Sequence, residues 1–203
     1  GGAFGLKQDR INGDYEQNIT GYYIKKGTRS EFNTSSYSND IMSFAANVHV
    51  VIRLAELYLI QAEAWNEYLG KPNDNVYLPL NKVRERAGID DVVTAWKSYS
   101  NQPGKVDTKE GMREIIRQEI NIELAFEGQR YWNLRRWKIA ELELNAKQYG
   151  WNILGESART FYNNFEGPIV IWSKSKFTAP RNYLTPIKAE EILISSMVQN
   201  PGW

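Results

Sequence analysis

Three carboxylates are the first residues in this chain with a spacing that could do chemistry. Glu119, Glu123 and Glu127 stand four apart, so on a helix they line one face. Such a row could ligate a hard cation or supply an acid/base pair. Gly128 interrupts, and a basic-aromatic run follows: Arg130, Tyr131, Trp132, Arg135, Arg136 and Trp137. The groups that would complete a metal site are missing. A di-iron bundle needs Glu-x-x-His, and the chain's single histidine, His49, lies at the start of a different helical segment. Arginines are plentiful instead: Arg113, Arg117, Arg130, Arg135 and Arg136, with Arg84 and Arg86 upstream. Arginine pairs carboxylates bidentately, so an Arg-Glu lattice locking helices together outweighs a catalytic or metal site.

Other chemistries fare no better. There is no cysteine among the 203 residues, which removes disulfides, thiolate ligands and cysteine nucleophiles. No Gly-x-Ser-x-Gly elbow, Walker loop or glycine-rich dinucleotide fingerprint occurs. With 25 basic and 24 acidic residues the chain carries no broad field for nucleic acid, and the run 130–137 reads as packing rather than base stacking, since Tyr131, Leu134 and Trp137 share a helical face. No cofactor is implied. The aromatic content is high, with 7 Trp, 12 Tyr and 7 Phe. Aromatics in connectors could stack on the C–H faces of sugar rings. Phe32, Tyr37, Trp96, Tyr99 and Trp151 are the candidates for that role, although loop anchoring is the commoner use of such side chains.

The elements that must hold these residues are mainly α-helical. Residues 1–47 form a loop-rich lead-in, with a strand expected near 19–26. Residues 48–69 contain neither Pro nor Gly and predict a helix apolar on so much of its circumference that it must be sandwiched between neighbours. A second helix is predicted over 73–87, closed by Gly88, with Pro79 starting or kinking it. Helix, short turn, helix is the pattern of one tetratricopeptide-like repeat unit. Residues 89–106 read as a connector. Asp107 and Glu110 give a capping signal for a helix that runs to Gly128, and helical character then resumes to about Leu144. Residues 145–203 read as an irregular aromatic segment, with little β-structure anywhere. The expectation is one domain over 1–203, its helical body at 48–144. No apolar run approaches a membrane span, and the start, Gly1-Gly2-Ala3 without an initiator Met, reads as trimmed.

Five ordered runs carry a resemblance. Val51-Ile-Arg-Leu-Ala-Glu-Leu-Tyr-Leu-Ile-Gln-Ala-Glu-Ala64 resembles the "R-x-A-E-x-x-L-x-x-A-E-A" helix of SusD/RagB proteins. Leu80-Asn-Lys-Val-Arg-Glu-Arg-Ala-Gly88 is similar to that family's "L-N-x-V-R-x-R-A-G", and 119–137 to its "E-x-x-x-E-x-x-x-E-G-x-R-x-x-D-L-R-R-W". Tyr183-Leu-Thr-Pro-Ile187 and Gln199-Asn-Pro-Gly-Trp203 resemble its closing "Y-L-x-P-I-P" and "Q-N-P-G". Asn133 stands where Asp is usual, and Lys188 where Pro is usual. The matched runs belong to the family's C-terminal half, so the chain reads as a fragment or a short member. Arg53, Glu56 and Glu63 of the first run join Arg84, Arg86, Glu119, Glu123, Glu127, Arg130, Arg135 and Arg136 as expected structural residues.

The resemblance implies a lipoprotein on the extracellular face of the outer membrane. It would capture oligosaccharides, polysaccharides or other nutrients over a SusC-like TonB-dependent transporter, without catalysis. Two rivals stand beside it: an interaction scaffold with no ligand site of its own, and a hydrolase using two carboxylates.

Overall fold

The computed structural model describes residues 20–22, 24, 26 and 50–203. The chain divides into two compact units, Gly27–Arg130 and Gly1–Lys26 together with Tyr131–Trp203. Among the described residues the fold is mainly α, with a single two-stranded sheet.

In the first unit, the Ala- and Leu-rich stretch without helix breakers forms α1 (Leu54–Tyr68). It starts later than residue 48, because residues 50–53 are extended or bent. Asn73 caps α2 (Asp74–Arg86), its side chain accepting from the Asn75 backbone N–H at 2.9 Å. Pro79 sits buried inside α2 rather than starting it. Gly88 ends the helix at φ +72°, where the Ile89 N–H reaches the Arg84 carbonyl and the Gly88 N–H reaches that of Glu85. Those two bonds satisfy carbonyls that the helix end would otherwise strand.

The expected connector over 89–106 is instead α3 (Val92–Tyr99), capped by Asp91, followed by a 3-10 turn at Pro103–Asp107. Thr108, not Asp107, caps α4 (Lys109–Glu123), accepting from the Gly111 N–H at 3.1 Å. α1 packs against both α2 and α4. Leu59 and Ala62 from α1, Val76 and Leu80 from α2, and Met112 and Ile116 from α4 are wholly buried, each large apolar side chain contributing roughly 1.5–3 kcal/mol. Asn66 lies in the same interior, its amide donating to the Lys109 carbonyl at 3.0 Å. On the second apolar face of α1, Leu54, Leu57 and Ile60 are at least half exposed.

α5 (Gln129–Arg136) and α6 (Ala140–Asn145) are separate helices rather than one run to Leu144. Lys138 breaks them at φ +59° with the same pair of carbonyl bonds, Ile139 to Leu134 and Lys138 to Arg135. The C-terminal segment is less irregular than its composition suggests. β1 (Gln148–Gly150) pairs antiparallel with β2 (Ile169–Trp172), aligning Tyr149 with Val170, and α7 (Ala158–Phe161) lies between them in sequence. Residues 20–22, 24 and 26 form turn, bend and coil rather than the expected strand. Thr20 still accepts from the Trp151 N–H at 2.9 Å, and a side chain at Gly150 would meet the Thr20 carbonyl at 2.5 Å. α8 (Ala189–Ser195) precedes the final turn.

Candidate functional site

The carboxylate row does not present itself to a ligand. Glu119 and Glu123 share a face of α4, but α4 ends at Glu123 and Glu127 reaches in from the turn that follows. That turn contains Phe126 at φ +64° and Gly128 at φ +80°. The early stop also leaves Ile122 and Phe126 exposed, despite their place in the apolar periodicity.

Each of the three carboxylates meets an arginine from another element. Arg53, just ahead of α1, donates Nε to Glu127 Oε2 and Nη2 to Glu127 Oε1, both at 2.8 Å. Its Nη1 donates to Glu123 Oε1 at 2.5 Å and its Nη2 to the Glu123 carbonyl at 2.6 Å. Arg86 adds a second ion pair to Glu123 Oε1 at 2.5 Å. Arg84 pairs with Glu119 and also donates Nε to the Asp90 carbonyl at 2.7 Å. The Glu127 hydrogen bonds foremost, and then those to Glu123, hold the Arg53 guanidinium above its ordinary range against the opposing effect of burial. These pairs link the start of α1 and the end of α2 to α4 and the turn after it, with the charge-assisted bonds that arginine and carboxylate favour. Glu56 and Glu63 lie half-buried along α1.

The basic-aromatic run has a comparable role in its own unit. Leu134 and Trp137 are buried as expected of a shared face, but Tyr131 and Trp132 are 43% and 63% exposed. Arg135 donates to the Tyr131 hydroxyl at 2.8 Å and to the Tyr183 carbonyl, and lies over both the Tyr131 and Trp132 rings. Arg136 donates Nη2 to Asn133 Oδ1 at 3.1 Å, so the Asn that replaces the usual Asp still serves as an acceptor. Arg130 begins this run in an exposed position on α5. The two closing motifs fasten to each other. Gln199 exchanges two 2.9 Å bonds with the Ile187 backbone, Asn200 donates to the Thr185 carbonyl at 2.6 Å, and Trp203 Nε1 reaches the Arg181 and Leu184 carbonyls.

The aromatic candidates separate. Phe32 and Tyr37 lie outside the described residues. Trp96 and Tyr99 sit on α3, not on a loop, three residues apart on one side of the helix. Tyr99 is 77% exposed. Trp96 is half-buried beneath Lys105, whose ammonium lies 5.4 Å from the ring centre. Lys105 in turn borders a shallow, open depression lined by Gln102, Gly104, Thr108, Gly111 and Glu114. Trp151 is enclosed by rings, with Tyr162 edge-on at 5.1 Å, Phe161 at 6.4 Å and Tyr22 at 6.2 Å. Sequence reasoning did not single out Phe165, which is 70% exposed on a left-handed turn. The Asn163-Asn164 pair before it was the available signal, since Asn tolerates that backbone region.

Arginine-carboxylate pairs tie together the helices of the first unit, and several aromatic side chains of both units are exposed. The chain belongs to the SusD family, whose family model matches residues 6–203. It is similar to SusD-like protein P2 of Formosa agariphila, 29% identical over 160 residues that make up 76% of this chain and 26% of that protein. It is also similar to SusD-like protein P25 of the same organism, 41% identical over 90 residues, 44% of this chain and 15% of that protein. The matches thus span about a quarter or less of the length of these relatives.

Proposed function

We propose that the chain serves the capture of glycans or other nutrients at the bacterial outer-membrane surface, passing ligand to a SusC-like TonB-dependent transporter. The observation that carries this reading is the family match along residues 6–203. The engagement of Glu119, Glu123 and Glu127 by arginines supports binding over two-carboxylate hydrolysis. Of the aromatic candidates, Trp96 and Tyr99 best suit ligand contact, because they share a helix side and Trp96 lies under Lys105, which borders a depression with Gln102, Thr108 and Glu114 as hydroxyl partners. Isothermal titration with cellohexaose, laminarihexaose, xylohexaose and maltoheptaose tests the reading. Binding that weakens in Trp96→Ala and Tyr99→Ala assigns the site, and unchanged affinity removes those two residues from it. Reducing-sugar release during the same incubations would instead revive hydrolysis.

The scaffold reading draws on a different observation, the exposed apolar row Leu54, Leu57 and Ile60 on α1. A pull-down with a SusC-like transporter that succeeds while all four glycans fail to bind would favour it.

A further inference from the structure

The basic side chains of the two units differ in what they meet. In the first unit, Arg53, Arg84, Arg86 and Arg113 each pair with a glutamate. In the second, Arg135, Lys138 and Arg181 gather around one 3-10 turn, Arg181–Tyr183. Among the described residues none of these three forms an ion pair with a carboxylate. Of the carboxylates on adjoining elements, Glu141 accepts from the Ala179 N–H at 2.9 Å, and Glu190 and Glu191 open α8 in exposed positions.

Aromatic rings hold the three cations instead. Arg135 donates to the Tyr183 carbonyl and lies 5.2 Å from the Tyr131 ring centre and 5.7 Å from that of Trp132. Lys138, at its left-handed φ of +59°, places its ammonium 4.5 Å from the centre of the Tyr183 ring. The Arg181 guanidinium lies 4.1 Å from the centre of the Trp203 ring. That ring is itself fixed, because its Nε1–H reaches the Arg181 and Leu184 carbonyls, each at 3.0 Å. Gly202 permits the approach, since a Cβ there would stand 3.0 Å from that of Arg181.

The difference between the units is one of charge. A carboxylate holds a cation and cancels its charge. An aromatic face holds it through a quadrupole that carries no net charge, and so cancels nothing. Lys138 and Arg181 are exposed and Arg135 is half-buried, so a positive field persists around the turn. Like charges gathered there repel one another, and a bound anion relieves the repulsion.

We propose that Arg135, Lys138 and Arg181 form an anion-binding surface that selects an acidic polysaccharide, one bearing carboxylates or sulfates along its length. This rests on the nutrient-binding reading and names its ligand class. The two guanidinium groups match oxyanions with paired donors, and the ammonium adds a point charge. Cations carried by α5, by the break after it and by the 3-10 turn suit the repeated charges of a polymer, whose successive contacts reinforce one another.

The test is isothermal titration at low and high salt with hexagalacturonate, a sulfated carrageenan hexasaccharide, cellohexaose and poly-glutamate. Wild type, Arg181→Gln, Lys138→Gln and the double variant are compared, and each is melted. At least one acidic oligosaccharide should bind wild type more tightly than cellohexaose and weaken as salt rises. Its affinity should fall about twofold to fivefold for each exposed charge removed, at unchanged Tm, and which acid binds distinguishes carboxylate from sulfate. Should the variants melt lower, Arg181→Lys decides: binding restored by the retained charge supports the surface, and continued loss overturns it. Acidic-sugar binding that is flat in salt and unchanged in the double variant overturns it. Poly-glutamate binding as tightly as the acidic sugars overturns it in favour of an acidic protein partner. Binding of cellohexaose but of neither acidic sugar overturns the surface and leaves the nutrient reading intact, whereas failure to bind any glycan overturns both.

Discussion

Replacing Arg53 tests whether the carboxylate row is a frame. Arg53 makes four hydrogen bonds, two to the Glu127 carboxylate, one to that of Glu123 and one to the Glu123 carbonyl. Its side chain is 22% exposed, that of Glu123 14% and that of Glu127 22%. Breaking a fully buried ion pair costs about 3–5 kcal/mol, and an exposed pair contributes about 0–1 kcal/mol. At roughly one-fifth exposure, Arg53→Ala should cost about 2–4 kcal/mol by interpolation between those limits. For a chain of this size that is a fall in Tm of about 4–16 °C. Arg53→Ala, Glu127→Ala and the double variant form a thermodynamic cycle, measured by urea denaturation with far-UV circular dichroism. The geometry predicts a coupling of about 1–3 kcal/mol. A coupling below about 0.5 kcal/mol, with each single variant as stable as wild type, would refute the frame.

Three further outcomes check the local arguments. Gly88→Ala should destabilise by about 1 kcal/mol, seen as a lower urea midpoint, because a Cβ there has open space but the backbone stands at φ +72°. Thr108→Ala should cost about 1 kcal/mol by the same assay, since it removes the cap on α4. The third concerns pH. The Arg113 hydrogen bonds, ahead of the opposing effect of burial, hold the Glu67 carboxyl below its ordinary value of 4.5. A depressed folded-state pKa contributes stability that is full above the unfolded value and lost as pH falls through the folded one. Glu67→Gln should therefore narrow the gap to wild type as melting is followed from pH 6 to pH 3, with only a small effect at this exposed site.

Much of the helical frame was legible because its signals are local. The breaker-free stretch ahead of Gly70 and the stop at Gly88 both act within a turn or two of the helix they define. The sequence suggested that the carboxylate row would meet arginines, because arginines are plentiful around it, and Arg53, Arg84 and Arg86 do pair with it. The geometry of the pairs was not legible. Glu127 reaches Arg53 from a turn, which a fixed four-residue period does not foresee. The break at Lys138 was hidden because the left-handed position carries a lysine rather than a glycine; that lysine instead lies 4.5 Å from the centre of the Tyr183 ring. α3 was missed because eight residues containing Val92, Val93 and Thr94 have weak helix propensity, and its packing against α2 is a tertiary effect. Phe165 was missed for a related reason: its exposure follows from a turn conformation, not from a periodic pattern.

The most direct test of the whole account is to titrate wild type and Glu123→Ala with the four oligosaccharides and to melt both proteins. Glu123 bridges Arg53 and Arg86, so the variant should melt lower while its affinity per folded molecule stays that of the wild type. A wild-type chain that binds none of the glycans, or a folded Glu123→Ala that has lost binding, would contradict it.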